Sequence, residues 1–107
     1  MERLLKNNSD SEQQQMILKL LLDNRIQILN ELMQNEPKTA IELSHESKIN
    51  LNAVYRVLHK LDDGNFLKIS FNITPNGKKS YLYKSKLESI NARYHKGNLD
   101  ISLNLSS

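Results

Sequence analysis

Cysteine and tryptophan are both absent from this chain of 107 residues, glycine occurs three times and proline twice, and the aromatics are four Tyr and two Phe. Without thiols there is no disulfide framework and no thiolate metal site. With so few large rings the core must be lean and built mainly from aliphatic side chains. Long apolar runs are missing too: Met16–Leu18 and Leu20–Leu22, separated by Lys19, fall far short of the ~20 residues that a membrane-spanning helix needs. The opening MERLLKNNSDSEQQQ mixes charge early and lacks the apolar stretch of a signal peptide. These absences predict no membrane partner and a cytoplasmic, nucleoid-associated protein. Apolar residues at 38% and charged residues at 25% suit one domain with a modest core.

A local absence says more than the global balance. Net charge is only +3, with pI near 9.2. Yet no acid stands between Asp63 and Glu88, where Lys68, Lys78, Lys79, Lys84 and Lys86 all fall. A one-sided basic segment suits a polyanion, because each neutralised phosphate releases counterions. Catalytic constellations are also lacking. Ser44-His45-Glu46 sets nucleophile, base and acid types side by side, but neighbours on a helix point in different directions and cannot form a relay. No Gly-rich phosphate loop or metal-ligand cluster is present, and His45, His59 and His95 lie far apart. The chain is expected to be no enzyme, with no metal and no cofactor.

What is there centres on the stretch from Thr39 to Leu67. Thr39 and Glu42 stand in the relation of a capping box, which starts a helix at Ala40. A polar turn follows at Ser47-Lys48, and Asn50 is typed to cap a second helix over about Leu51 to Asp62. Val54, Val57, Leu58 and Leu61 recur there at helical spacing and predict its inward face. Left outside are Asn52, Ala53, Tyr55, Arg56, His59 and Lys60, a set with hydrogen-bonding and cationic groups and no acid.

Ahead of this pair, a helix opening at Ser9 with Glu12 carries Met16, Ile17, Leu20 and Leu21. A second, capped by Asn24 with Gln27 as its partner, runs to Asn35, where Pro37 follows; one continuous helix over 11–35 is the rival reading. After it, Leu67, Ile69, Phe71 and Ile73 alternate with polar residues, predicting a strand with one buried face. Thr74-Pro75-Asn76-Gly77-Lys78 predicts a turn, and Lys79–Tyr83 returns as the second strand. Ser85 and Glu88 suggest another capping box, opening a last helix with Leu87, Ile90 and Tyr94 as its stripe and Gly97 as its stop. Leu99–Leu105 alternates strictly, which predicts a strand in the tail.

The pattern resembles the winged-helix repressors of the ArsR and MarR type. Leu22-Asp23-Asn24-Arg25-Ile26 with Ile28-Leu29 resembles the opening of their first core helix, and Glu42-Leu43 the centre of their first motif helix. Asn50, Val54, Tyr55, Arg56, Leu58 and Leu61 resemble their recognition helix, and Tyr81 with Tyr83 the returning wing strand. The family commonly has Gly just before the apolar pair that opens the wing, where this chain has Asn65, a residue that tolerates the left-handed conformation.

The expected fold is therefore mainly α with a small β-hairpin (α+β): a winged helix-turn-helix with extra N- and C-terminal helices. Residues 1–10 are a flexible N-terminus, 11–97 the domain with terminal dimerisation helices, and 98–107 the tail. The resemblance implies a homodimer that binds double-stranded DNA and regulates transcription, as a repressor. Asn50, Asn52, Ala53, Tyr55, Arg56, His59 and Lys60 would contact DNA from the helix, and Asn76, Lys78 and Lys79 from the wing. Surplus apolar residues Met16, Ile17, Leu20, Leu21, Leu87, Ile90 and Tyr94 predict the dimer contact. The alternative is a winged helix used as a protein-interaction module.

Overall fold

The computed structural model describes residues 2–5 and 11–106, and the side chains from residue 14 on. A short strand β1 (Glu2–Leu5) is followed by four helices, α1 (Ser11–Leu22), α2 (Asn24–Asn35), α3 (Ala40–Ser47) and α4 (Leu51–Asp63). Two hairpins complete the chain: β2 (Leu67–Ile73) with β3 (Lys79–Ser85), and β4 (Leu87–His95) with β5 (Asn98–Leu105). The class is α+β, with antiparallel pairing throughout.

The region 11–35 folds as two helices. They break at Asp23, whose carboxylate accepts from Arg25 N–H at 2.9 Å and caps α2, one place earlier than the expected Asn24. Gln27 turns back to donate to the Leu21 carbonyl at 2.6 Å rather than joining a capping box. The expected box at Ser9 and Glu12 lies outside the described side chains.

One core runs through the molecule. Leu29 and Met33 of α2, Leu43 of α3, Val54 and Leu61 of α4, and Phe66 are fully buried and join Ile17 of α1 with Ile101 and Leu103 of β5. The β2–β3 hairpin is tied to the helices at its base. Lys38 N–H donates to the Tyr83 carbonyl at 3.0 Å, and Tyr83 N–H to the Lys38 carbonyl at 2.8 Å.

Three expectations about the ends are corrected. First, Glu2–Leu5 does not form a flexible or loosely helical N-terminus but pairs with β5, in the order β1-β5-β4. Second, the expected C-terminal helix is β4. The pairing register slips between Leu87 and Ser89, so a bulge at Glu88 brings Leu87 and Ile90 to one face although they are three apart in sequence. That spacing imitates a helical stripe. From Ile90 onward, Ile90, Ala92 and Tyr94 alternate with Asn91, Arg93 and His95 as in any strand. Lys96 and Gly97, with φ of 50° and 81°, form the turn into β5, so Gly97 reverses a hairpin instead of stopping a helix. Ser85 caps nothing: its hydroxyl donates to Asn30 Oδ1 at 2.5 Å and accepts from Leu87 N–H at 3.0 Å. Third, the molecule is less α-rich than expected, since strands run through most of its C-terminal third. The strand expected in the tail is present as β5, at the centre of its sheet.

Among the described residues no helix is long and apolar enough to cross a membrane.

Candidate nucleic-acid interface

Local chemistry fixes the α3–α4 pair before any packing. Thr39 Oγ1 accepts from Glu42 N–H at 3.1 Å while Glu42 Oε1 accepts from Thr39 N–H at 2.9 Å, so the capping box is reciprocal. The bond from the Thr39 backbone N–H, followed by the Thr39 side chain, holds the Glu42 carboxyl below its ordinary pKa of 4.5. In the turn, Lys48 adopts the left-handed conformation at φ 61°. Ser44 Oγ donates to the Ile49 carbonyl at 2.6 Å and Ser47 Oγ accepts from Ile49 N–H at 3.1 Å. Asn50 Oδ1 then accepts from Ala53 N–H at 3.0 Å and opens α4. Lys38, on the connection before α3, is held between Glu46 and Glu36 at 3.0 and 3.1 Å, and the hydrogen bond to Glu46 does most to raise its pKa.

Helix α4 divides cleanly. Ala53, Val54, Val57, Leu58 and Leu61 are buried, whereas Asn52, Tyr55, Arg56, His59 and Lys60 are exposed. Ala53 was expected outside, and this is corrected: it falls one turn before Val57 on the inward face, and a methyl group carries no sequence signal about which way it points. Asn50 is exposed at the helix start, but its amide oxygen is engaged in the cap.

The hairpin pairs Ile69 with Tyr83, Phe71 with Tyr81 and Ile73 with Lys79 on one face, and Lys68 with Lys84, Ser70 with Leu82 and Asn72 with Ser80 on the other. Its turn is closed by Thr74, whose N–H donates to the Lys78 carbonyl at 2.8 Å and whose carbonyl accepts from Gly77 N–H at 2.9 Å. Asn76, Lys78 and Lys79 are exposed at or beside the tip. The face expected to be buried is buried only at its base. Leu67 is covered, but Ile69, Phe71 and Ile73 are 42%, 49% and 68% exposed, because the hairpin outruns the helices that support it. Lys79 Nζ sits 4.5 Å from the Phe71 ring centroid, and the Phe71 and Tyr81 rings meet edge-on at 6.2 Å. Tyr83 lies at the inner end of this face. It packs in part against the core, and burial, then the charges of Tyr55, Tyr81 and Asp62, raise the pKa of its hydroxyl.

No family model, curated protein or solved structure matches the chain. The candidate interface therefore rests on its own residues, the exposed side chains of α4 and a basic hairpin whose strand β2 packs against that helix.

The expected dimer residues fare differently. Ile17, Leu20 and Leu87 are buried within the chain's own core, where α1 meets the β4–β5 sheet. Met16 and Ile90 are partly buried against that core and Leu21 is half-buried; Tyr94 is 74% exposed on β4. The apolar surplus of α1 is thus largely covered within the chain's own core, together with Leu87 of the strand expected as a helix and Ile101 and Leu103 of the expected tail strand. Ile69 and Phe71 were expected on a buried face and Tyr81 on the returning strand, and all three are exposed. Their alternation was legible, but not the distance by which the hairpin outreaches its support.

Proposed function

We propose that the chain is a winged helix-turn-helix protein of the ArsR and MarR type that binds double-stranded DNA in a sequence-specific manner and regulates transcription, as a repressor. Helix α4 enters the major groove, and the β2–β3 hairpin is the wing. The observation that carries this reading is the division of α4. Its exposed face offers Asn52, Tyr55, Arg56, His59 and Lys60, and no acid precedes Asp62 on the helix. Arg56 reads guanine through paired hydrogen bonds, Asn52 and Tyr55 contact neighbouring base edges, and Lys60 neutralises phosphate. Lys78, Lys79 and Asn76 follow the backbone from the wing tip.

Binding sites selected from random duplexes, followed by anisotropy titrations, test this. Arg56→Ala should cost about 1–3 kcal/mol on the selected site and flatten discrimination between sites. Retained affinity and preference would remove α4 as the reader.

A homodimer belongs to the same reading, since a twofold axis sets two recognition helices roughly 34 Å apart on the duplex. With Ile17, Leu20 and Leu87 already covered, the contact falls to Tyr94, Ile90 and the outer edge of β4, which no other described strand pairs. Light scattering at micromolar concentration should give a dimer. A monomer would sink this part and leave the DNA-binding part standing.

A further inference from the structure

Of the four Tyr and two Phe in the chain, Phe66 fills the core, Tyr94 lies on β4 and Tyr55 is exposed on α4, while Phe71, Tyr81 and Tyr83 share one face of the hairpin, Tyr83 partly packed against the core. A wing that only followed duplex phosphates would have no use for ring faces, because the faces of paired bases are hidden inside the stack. Rings held open on a cationic ribbon match a different ligand, a single strand whose bases are splayed out. The hairpin carries the charge to go with them. Lys78 and Lys79 stand at the outer end of the row, and no acid occurs from Asn65 to Lys86. On the reverse face Lys68 is directly opposite Lys84, an arrangement that costs stability unless an anion screens it.

We infer that the wing face formed by Phe71, Tyr81 and the outer part of Tyr83 is a binding surface for unpaired nucleobases, with Lys78 and Lys79 on the phosphates of the same strand. Phe71 and Tyr81 are the stacking platform, fixed edge-to-face by their cross-strand pairing and by Lys79 over the Phe71 ring. The inference shares with the proposed function a polyanionic ligand and the phosphate contacts of Lys78 and Lys79. It needs neither base reading by α4 nor a duplex.

The absence of tryptophan makes the test direct, since tyrosine emission is unmasked. Oligothymidylate of about a dozen nucleotides is titrated into the full chain, with tyrosine quenching and the anisotropy of end-labelled oligonucleotide as readouts. Stacking should quench the emission and give saturable binding. Phe71→Leu with Tyr81→Leu keeps the apolar cover but removes the rings. It should weaken single-strand binding roughly tenfold or more per ring while leaving duplex affinity unchanged. Should that double variant fail to fold by circular dichroism, Tyr81→Leu alone carries the same expectation. Arg56→Ala should abolish duplex discrimination and leave the quenching intact, which separates the two readings. Duplex binding without single-strand binding overturns this inference alone, as does undiminished binding by the leucine variants. A leucine variant that changes only the oligomeric state would show the face to be a protein contact, and would overturn it likewise. Binding of neither ligand overturns both readings.

Discussion

Replacing Gly64 with alanine probes the joint on which α4, the start of the β2–β3 hairpin and α1 all depend. Its φ of −81° and ψ of −1° are ordinary right-handed values, so the backbone itself accepts any residue. Space is what forbids it. A β-carbon there would stand 2.7 Å from Met16 Sδ, 2.7 Å from Phe66 Cε2 and 2.9 Å from Phe66 Cδ2. The Met16 thioether is the far end of a pliant side chain and can swing aside. The Phe66 ring, fully buried, cannot. Overpacking of this kind costs about 1–3 kcal/mol. Against it stands the loss of unfolded-state freedom, which favours alanine over glycine by about 0.4–1 kcal/mol. The net is a loss of roughly 1–2 kcal/mol, or a fall in thermal midpoint of about 5–15 °C for a domain of this size. Thermal melts followed by circular dichroism read it, with Met16→Ala as the partner in a double-mutant cycle. Relief by Met16→Ala should be small. An unchanged or higher midpoint would refute the reasoning, since it would mean that Phe66 is not wedged beneath the end of α4.

Three further outcomes rest on the same geometry. Thr39→Ala should cost about 1 kcal/mol near neutral pH. Because the Thr39 backbone N–H, then its side chain, lower the folded pKa of Glu42, that stabilisation is complete above 4.5 and is lost as pH falls through the lower folded value, so in urea melts the gap between wild type and Glu42→Ala should narrow as pH falls below 4.5. Lys78→Ala with Lys79→Ala should weaken binding to all duplexes alike and reduce the salt slope by about 0.9 for each phosphate that is no longer neutralised; an unchanged slope would return these lysines to plain solvated surface. Leu87→Asp, at a site 2% exposed, should abolish folding or shift it beyond a working temperature range, whereas Tyr94→Asp should keep the fold by circular dichroism and lose the dimer by light scattering.

The helical half was legible because its signals are local. Thr39 with Glu42, and Asn50 ahead of Val54, Val57, Leu58 and Leu61, state a cap and a face within a few residues, and α4 obeys them to its last turn. Asn65 was legible in the same way: it takes φ 62°, where the resemblance places glycine, and its side chain accepts from Lys86 Nζ at 3.1 Å. The C-terminal hairpin was not legible because a bulge changes the meaning of a spacing. Leu87, Ile90 and Tyr94 fit a helix at three and four apart, and only the pairing of β4 with β5 reveals the extra residue at Glu88. β1 is too short to show a period, and its partner lies at the far end of the sequence. For the candidate interface, residue types at Arg56 and Lys60 announced the exposed face, but Ala53 could not, and the rings of the wing were assigned to a core that does not extend so far.

The pairing of Glu2 with Asn104 and of Leu5 with Ile101 gives the molecule a kinetic order. Both hairpins and the capped helices close over short loops, whereas β1 can join only after nearly the whole chain has been gathered, at a far larger loss of chain entropy. That seam should form last and open first, so the amides of β1 are expected to exchange with solvent well before those of β5, which β4 continues to hold.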